Sequence, residues 1–382
     1  MKIVDVCALY SPQGGGIRTY VEQKLAIGPR LGHEIVIIAP GDRDEVIEHG
    51  PGARIVTLRA PHFPLDRKYW YFEDEQALHA ALDAEAPDFV EVTSPWRSAT
   101  MVAEWRGAAP RSLVMHADPL SAYPYRWLGD IFSRPTIDWQ FSLFWSHLRR
   151  LGQSVDLVVC ANRDLTRRLA EGGIANSATI PMGVEAGRFA PERRDARLRA
   201  QLLAECSLPE SATLLIGVGR LAPEKRWPVV IDAVTIASRE QPIGLVMLGE
   251  GREKRAMLKR IAGNPHIRLF APKRSRDEFA RILASCDALV HGCEAETFCM
   301  AAAEARACGL RVIVPDAGGA ADHAASGGWT YAAGDPVAAA ACIREAIERP
   351  WRPAARVRTM DEHFAELFAR YEALARPFRR VA

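Results

Sequence analysis

The sequence predicts an α/β protein built from two doubly wound parallel-sheet domains. Three features carry that prediction: the length, an alternation of short apolar runs with helical stretches, and a break after which the same rhythm restarts. At 382 residues the chain exceeds one comfortable hydrophobic core, so two domains of ordinary size are expected. Short apolar runs at 3–9, 35–39, 55–58, 88–92, 112–116, 155–161 and 178–180 have the length and composition of strands buried on both faces. Between them lie helical stretches at 18–31, 73–85 and 137–151. Strand and helix in alternation mean βαβ units and a covered parallel sheet.

Pro181-Met182-Gly183 and the charged stretch 188–199 carry little apolar periodicity and mark an inter-domain connection. Strand-like runs then return at 214–218, 244–248, 267–270, 288–290 and 312–314, with a helix from Lys225 and others at 253–261, 278–284 and around Glu304. The boundary is accordingly set at 1–183 for the first domain and 184–360 for the second, with the tail 361–382 packing back on the first. Ligands of such sheets bind at the carboxyl ends of the strands, so a cleft between two facing domains is the expected site.

Composition narrows the function. A 48% hydrophobic share with 25% charged residues fits a soluble globular protein. A net charge of +2 argues against nucleic acid as the main partner, because a backbone footprint needs a concentrated basic face. No apolar run approaches the ~20 residues of a membrane span, and the chain opens directly into a strand. The eight cysteines contain no Cys-x-x-Cys pair and suggest neither zinc nor a disulfide framework. A cytoplasmic setting fits best, with peripheral contact at the inner membrane face left open.

The stretch 293–309 is the most informative. Glu296 and Glu304 bracket the expected start of a helix directly after the apolar run at 288–290. Free amides and the helix dipole make such a start an anion site. Glu304 lies six residues beyond Phe298, roughly 9 Å along a helix axis. Two carboxylates on either side of an anion-binding turn suit a nucleotide sugar, with its sugar, diphosphate and ribose in a row. Spacing alone is weak evidence, since roughly six acidic pairs eight apart are expected by chance in such a chain. The strand–loop–helix context decides in its favour.

Further candidates lie on the same rim. Gly14-Gly15-Gly16 opens the helix at 18–31, and Gly249-Glu250-Gly251 and Gly318-Gly319 follow later strands; each suits close backbone approach to a phosphate or sugar, or merely a tight turn. Arg220 ends one strand and Lys225 enters the next helix, so both reach one point above the sheet. Two fixed cations there neutralise a diphosphate without a metal. His116, at the end of the run 112–116, is placed to hydrogen-bond a donor sugar or a developing charge, as against a merely structural role. Asp42-Arg43-Asp44 imitates a metal-binding Asp-x-Asp pair but reads as solvated surface. The aromatic and basic stretch 123–150 suits a membrane interface or a lipid-carrying acceptor; core packing is expected for 137–151, leaving 123–132 as the membrane candidate.

In this order the pieces resemble family 4 (group 1) of the glycosyltransferases, which have the GT-B fold of two Rossmann-like domains. The resemblance spans nearly the whole chain, and its specific part is Gly219-Arg220-Leu221 with Glu224-Lys225, Gly249-Glu250-Gly251, Glu296-x7-Glu304 and Gly318-Gly319. It implies transfer of a hexose-type sugar from a UDP- or GDP-linked donor to a saccharide or lipid-linked acceptor, retaining, with no metal and no cofactor. By position, Arg220 and Lys225 hold the diphosphate, Glu296 the donor sugar and Glu304 the ribose. The amides of Phe298, Cys299 and Met300 face the β-phosphate and sugar, Gly249 lines the donor site, and His116, Gly15 and Gly16 match the first-domain donor groups. Three residues depart from the pattern: Cys299 for a usual Gly, Arg226 for Gly or Asn, and Met182 for Asn. They admit an alternative, a catalytically silent nucleotide-sugar-binding protein of the same fold.

Overall fold

The computed structural model describes the chain except residues 9, 12–14, 65–68, 130, 274, 326, 354–355 and 380–382 and the side chains of 377–379. Gly14 of the first glycine run therefore lies outside the described residues. The chain forms two compact units: one of Met1–Asp118, Trp127–Met182 and Met360–Ala382, the other of Pro119–Arg126 and Gly183–Thr359. The short segment Pro119–Arg126 groups with the second unit, whereas its place in the sequence assigned it to the first.

The first unit holds an eight-stranded sheet. Its strands are β1 (Lys2–Cys7), β2 (Glu34–Gly41), β3 (Glu45–Gly50), β4 (Ala53–Arg59), β5 (Phe89–Thr93), β6 (Arg111–Met115), β7 (Leu157–Cys160) and β8 (Ser177–Thr179). They lie in the order β3-β4-β2-β1-β5-β6-β7-β8, parallel except for the β3–β4 hairpin. Ile3, Val4 and Val6 of β1 and Ile35, Val36, Ile37 and Ile38 of β2 are fully buried. Unbroken burial, without alternation, is what helices on both faces of a parallel sheet impose. The strand Trp329–Tyr331 of the second unit is unpredicted, and in this unit so is β3. Five of its six residues are exposed, so it has no apolar face for a pattern search to find. Asp42-Arg43-Asp44 just before it is surface, as read: Arg43 pairs with Glu45 at 3.0 Å and Asp44 accepts the Arg59 amide.

The stretch 137–151 is two helices, Arg134–Gln140 and Ser142–Gln153. Ile137, Trp145, Leu148 and Leu151 pack inward, but Trp139 and Leu143 are 76% and 85% exposed. The expectation of core packing is thus corrected for those two side chains. The final helix, Met360–Arg379, belongs to the first unit, where Phe364, Phe368 and Tyr371 are buried and the Tyr371 ring stacks on Phe89.

Beneath that helix lies a buried charge cluster. Lys24, fully buried, sits 2.9 Å from Asp5 and 2.6 Å from Glu91. Tyr371 donates to Glu91 and receives from Ser112, while Thr93 donates to Asp5. Burial pushes the Glu91 carboxyl up to about 7 despite Lys24 beside it. The three charges are thus tied by hydrogen bonds to strands β1, β5 and β6 and to the last helix.

The second unit carries β9 (Thr213–Val218), β10 (Ile243–Leu248), β11 (Ile267–Phe270), β12 (Ala288–Val290), β13 (Arg311–Pro315) and β14 (Trp329–Tyr331). All are parallel, in the order β11-β10-β9-β12-β13-β14. The charged stretch 188–199, read as connection, contains the start of a regular helix, Ala196–Glu205, whose N-cap Asp195 accepts the Leu198 amide. Helices Trp227–Ala237 and Pro336–Glu348 bury Val230, Val234, Ala339 and Ile343 against one face of the sheet. Strand order reverses between β9 and β12, and the carboxyl ends of those two strands mark the place where a doubly wound sheet opens a crevice for a ligand.

Candidate active site

The loop after β9 and the loop after β12 meet at that reversal point. After β9 the chain makes a 3-10 turn, Pro223–Lys225, and enters the helix at Trp227 through Arg226, whose φ of 50° is left-handed. This explains why the resembling family commonly has Gly or Asn there. Arg226 is held in place by two hydrogen bonds to Glu294, at 2.9 and 2.6 Å. The Lys225 ammonium pairs with Glu296. Gly292 lets the two loops touch, since a Cβ there would lie 2.9 Å from the Lys225 carbonyl.

His291, at the carboxyl end of β12, is buried with Nε2 3.0 Å from the Glu296 oxygen that Lys225 engages. Its carbonyl accepts from Tyr331 Oη at 2.5 Å. Burial opposes the charge on Glu296, but Lys225 and His291 outweigh it and hold the carboxyl well below the usual carboxylate range. Burial likewise opposes the Lys225 ammonium, and Glu296 prevails and holds it well above its ordinary value. The pair is therefore charged at every physiological pH.

The helix Met300–Ala307 starts directly after this loop. Cys299 is its N-cap with φ 68°, left-handed again, and its carbonyl accepts from Ala302 and Ala303. A Gly would adopt this conformation without strain, and Cys here costs on the order of 1 kcal/mol. The first amides of the helix, Met300 and Ala301, have no intrahelical acceptor and point out of its start. The Phe298 ring packs edge-on against His323, whose Nε2–H donates to the Phe298 carbonyl at 2.6 Å. His291, Glu296 and Cys299 bring one ligand atom each within 4.8 Å of one another. A cation there would compete with Lys225 for the carboxylate, and burial holds the Cys299 thiol well above its ordinary pKa.

The other predicted residues fall differently. Arg220 does not join Lys225: its side chain is 76% exposed and pairs with Glu224 at 2.9 Å. Glu304 is buried, with its carboxyl raised by burial, and Arg276 donates to it at 2.6 Å. The Arg276 guanidinium also lies over the Phe189 ring at 5.0 Å. Gly249 serves packing within the protein, since a Cβ there would lie 2.3 Å from the Gly219 carbonyl, and its amide donates to Phe270. Gly318 and Gly319 are not an open nest. The Gly319 amide donates to the Glu296 carbonyl at 2.6 Å, and Cβ atoms would fall 2.3 Å from Glu294 O and 2.5 Å from Thr297 O respectively. Both press against the backbone that aims Glu296. The Gly319→Ala variant is therefore expected to lose about 2 kcal/mol of stability by overpacking, with a further loss of activity as the loop shifts. Thermal melting alongside a turnover assay measures both, and an unchanged melting curve would refute the packing role.

In the first unit, Gly15 caps the helix Gly16–Ile27, and a Cβ at either glycine meets nothing within 4 Å. His116 follows β6 and packs edge-on against the Tyr20 ring, 4.5 Å between centroids. Burial lowers its pKa to about 4, so the ring is neutral. Sequence reasoning missed His291, Arg276 and the Arg226–Glu294 pair. His291 carried the same signal as His116, a histidine at the end of a strand; the other two carried none, because their partners lie 28 and 68 residues away.

Comparison with known proteins bears on this geometry. The pattern of the family described as "Glycosyl transferases group 1" matches residues 201–362, which contain Arg220, Lys225, Arg226, Arg276, His291, Glu294, Glu296, Cys299 and Glu304. That described as "Glycosyl transferase 4-like domain" matches residues 15–183. The chain is a group 1 glycosyltransferase. Among relatives of this glycosyltransferase is the "GDP-mannose-dependent alpha-(1-6)-phosphatidylinositol dimannoside mannosyltransferase" of Mycobacterium tuberculosis, 29% identical over 92% of the chain and 89% of the relative. A "GDP-mannose-dependent alpha-mannosyltransferase" of Corynebacterium glutamicum is 26% identical over 84% of the chain and 74% of its own length. Solved structures with the same fold include sucrose-phosphate synthase from Thermosynechococcus elongatus, with TM-score 0.72, 18% identity and coverage of 100% and 98% of the two chains. The catalytic domain of starch synthase IV from Arabidopsis thaliana, bound to ADP and acarbose, has TM-score 0.67, 16% identity and coverage of 99% of each chain. The glycosyltransferase has the GT-B fold. No helix among its described residues is long and apolar enough to cross a membrane.

Proposed function

We propose that this glycosyltransferase moves mannose from GDP-mannose to a lipid-linked or saccharide acceptor, with retention at the anomeric carbon, at the inner face of a membrane. The observation that carries the reading is the largely buried Lys225–Glu296 pair beside the open start of the helix Met300–Ala307, at the reversal point of the second sheet. The names of the relatives supply the donor and the acceptor class.

In this reading the donor diphosphate takes Lys225, the helix-start amides and, by rotation of an exposed side chain, Arg220. Glu296 then turns to donor-sugar hydroxyls, and Glu304 with Arg276 bears on the ribose. As the bond from the anomeric carbon to the β-phosphate oxygen breaks, its electron pair stays on the diphosphate, where Lys225 and the amides stabilise it. The acceptor hydroxyl attacks from the same face and passes its proton to the departing phosphate oxygen. This route needs no carboxylate nucleophile, and none stands out on the first unit for a double displacement. His116, held neutral, is a hydrogen-bonding group for a sugar hydroxyl in place of a charge. Lys225 provides the positive charge that a metal supplies elsewhere.

Thermal shift tests the reading. GDP and GDP-mannose are expected to raise the melting temperature, by about 2.7 kcal/mol of added stability at a hundredfold excess over Kd, with UDP weaker. GDP release with a phosphatidylinositol mannoside acceptor completes the test. A shift without release under any acceptor would instead favour a silent binding protein, a reading to which Cys299 in its strained conformation lends weight. No shift with any nucleotide diphosphate would end the proposal, and a trapped glycosyl-enzyme would end the front-face route.

A further inference from the structure

Three metal-ligating side chains meet where the helix Met300–Ala307 begins. His291 Nε2 lies 3.0 Å from the Glu296 carboxylate, and the Cys299 thiol completes a set whose ligand atoms fall within 4.8 Å of one another. Among the described residues no other three histidines, cysteines or acids are so placed. His291 and Cys299 are each 3% exposed, and His291 Nε2 makes no hydrogen bond of good geometry among the described residues. A buried ring nitrogen in that position is costly unless something else engages it.

The donor set is mixed: imidazole, carboxylate and thiol. That combination suits zinc, whereas magnesium and calcium prefer oxygen alone. Around a tetrahedral zinc such atoms stand roughly 3.3–3.6 Å apart, so the widest separation here has to close by about 1.2 Å at most. Zinc takes the Cys299 sulfur as thiolate, its proton passing to solvent, and the positive start of the helix favours that anion. Three protein ligands leave the fourth position to water. The obstacle is the Lys225 ammonium, which holds the same Glu296 oxygen and has to turn away. That side chain is 17% exposed, so it has water to turn to.

We propose that His291, Glu296 and Cys299 form an inhibitory zinc site that shuts the donor site of this glycosyltransferase. Bound zinc takes Glu296 from the donor sugar, sets a thiolate beside the amides that face the diphosphate, and moves Lys225 out of place. Zinc and donor therefore exclude each other. The proposal rests on the reading of this loop as the donor site and adds a control over it. It belongs to a chain with cysteine at this position: a glycine, which the left-handed φ of 68° prefers, has no sulfur to offer.

Equilibrium dialysis of the metal-free protein against zinc, with no nucleotide present, tests it. One zinc per chain is expected, and Cys299→Gly and His291→Gln should each bind it about a hundredfold more weakly. Cys299→Gly also relieves the left-handed strain, so its fold is not at risk, and melting curves check both variants. Cys342→Ala removes a buried cysteine of the helix Pro336–Glu348 and should leave zinc affinity as in the parent. Cobalt in place of zinc should give the ultraviolet charge-transfer band of a thiolate ligand in the parent and lose it in Cys299→Gly. In the transfer assay zinc should raise the parent's KM for donor, EDTA should reverse the effect, and magnesium should not reproduce it. Cys299→Gly, measured against its own zinc-free rate, should resist zinc. Parental zinc affinity in Cys299→Gly overturns the proposal, and so does a bound zinc that leaves the donor KM unchanged. Zinc held by these three residues in a protein that binds no nucleotide diphosphate would sink the donor reading and leave the metal site standing; donor turnover in an enzyme that takes up no zinc would do the reverse.

Discussion

Replacing Lys225 by alanine is expected to lower transfer by about two to three orders of magnitude, as for loss of a preorganised charge at a developing anion. The loss should appear in kcat as well as in donor affinity, because the ammonium meets the diphosphate most strongly when the glycosidic bond has broken. Glu296→Ala should lose as much through a different route. It removes the donor-sugar contact and leaves the Lys225 ammonium with no carboxylate beside it. Circular dichroism and melting on both variants guard against misfolding. Arg220→Ala is expected to be milder, about tenfold in nucleotide diphosphate affinity, since a highly exposed side chain held by a surface pair begins with little preorganisation. Transfer within a few fold of the parent in either the Lys225 or the Glu296 variant would reject the site.

Lys24→Met is expected to destabilise the first unit by about 3–5 kcal/mol at pH ~8, because it strands the carboxylates of Asp5 and Glu91 in the core. The loss should depend on pH with a definite sign. The folded-state pKa of Glu91 is raised, to about 7 in the parent, so the folded chain holds its proton where the unfolded chain has released it. Without Lys24 that pKa rises further. Stability is then lost as pH climbs past the unfolded value of a glutamate and is recovered as pH falls back towards it. Denaturant melts of parent and variant at pH ~8 and pH ~5.5 should show the gap narrowing at the lower pH. A gap that widens with acid, or none at all, would show that the cluster is not held together in this way.

Much of the architecture was legible because burial on both faces writes itself into a parallel strand as an unbroken apolar run, as in β1, β2 and β10. The strand β3 was not, since an exposed edge leaves no such mark. At the site, Lys225 and Glu296 were read from their places just beyond strands β9 and β12. Their pairing with each other was not, because ligand-binding groups and ion-pair partners carry the same residue types. The glycines show the same ambiguity more sharply. Close approach of a phosphate and close approach of another loop both call for a missing Cβ, and the structure assigns Gly249, Gly318 and Gly319 to the second. Trp139 and Leu143 were misread because helical spacing records which residues share a side, and says nothing of whether that side faces inward.

The helix Met360–Arg379 has one more consequence. It is translated after the second unit, yet its Phe364, Phe368 and Tyr371 complete a core whose other walls are translated before that unit. On the ribosome the early sheet waits, Phe89 without the Tyr371 ring that covers it, while some 180 residues of the intervening unit emerge and fold. The first unit is thus closed only after the second has been made, and a transcript cut short before that point yields a sticky, unfinished sheet in place of a half-sized enzyme.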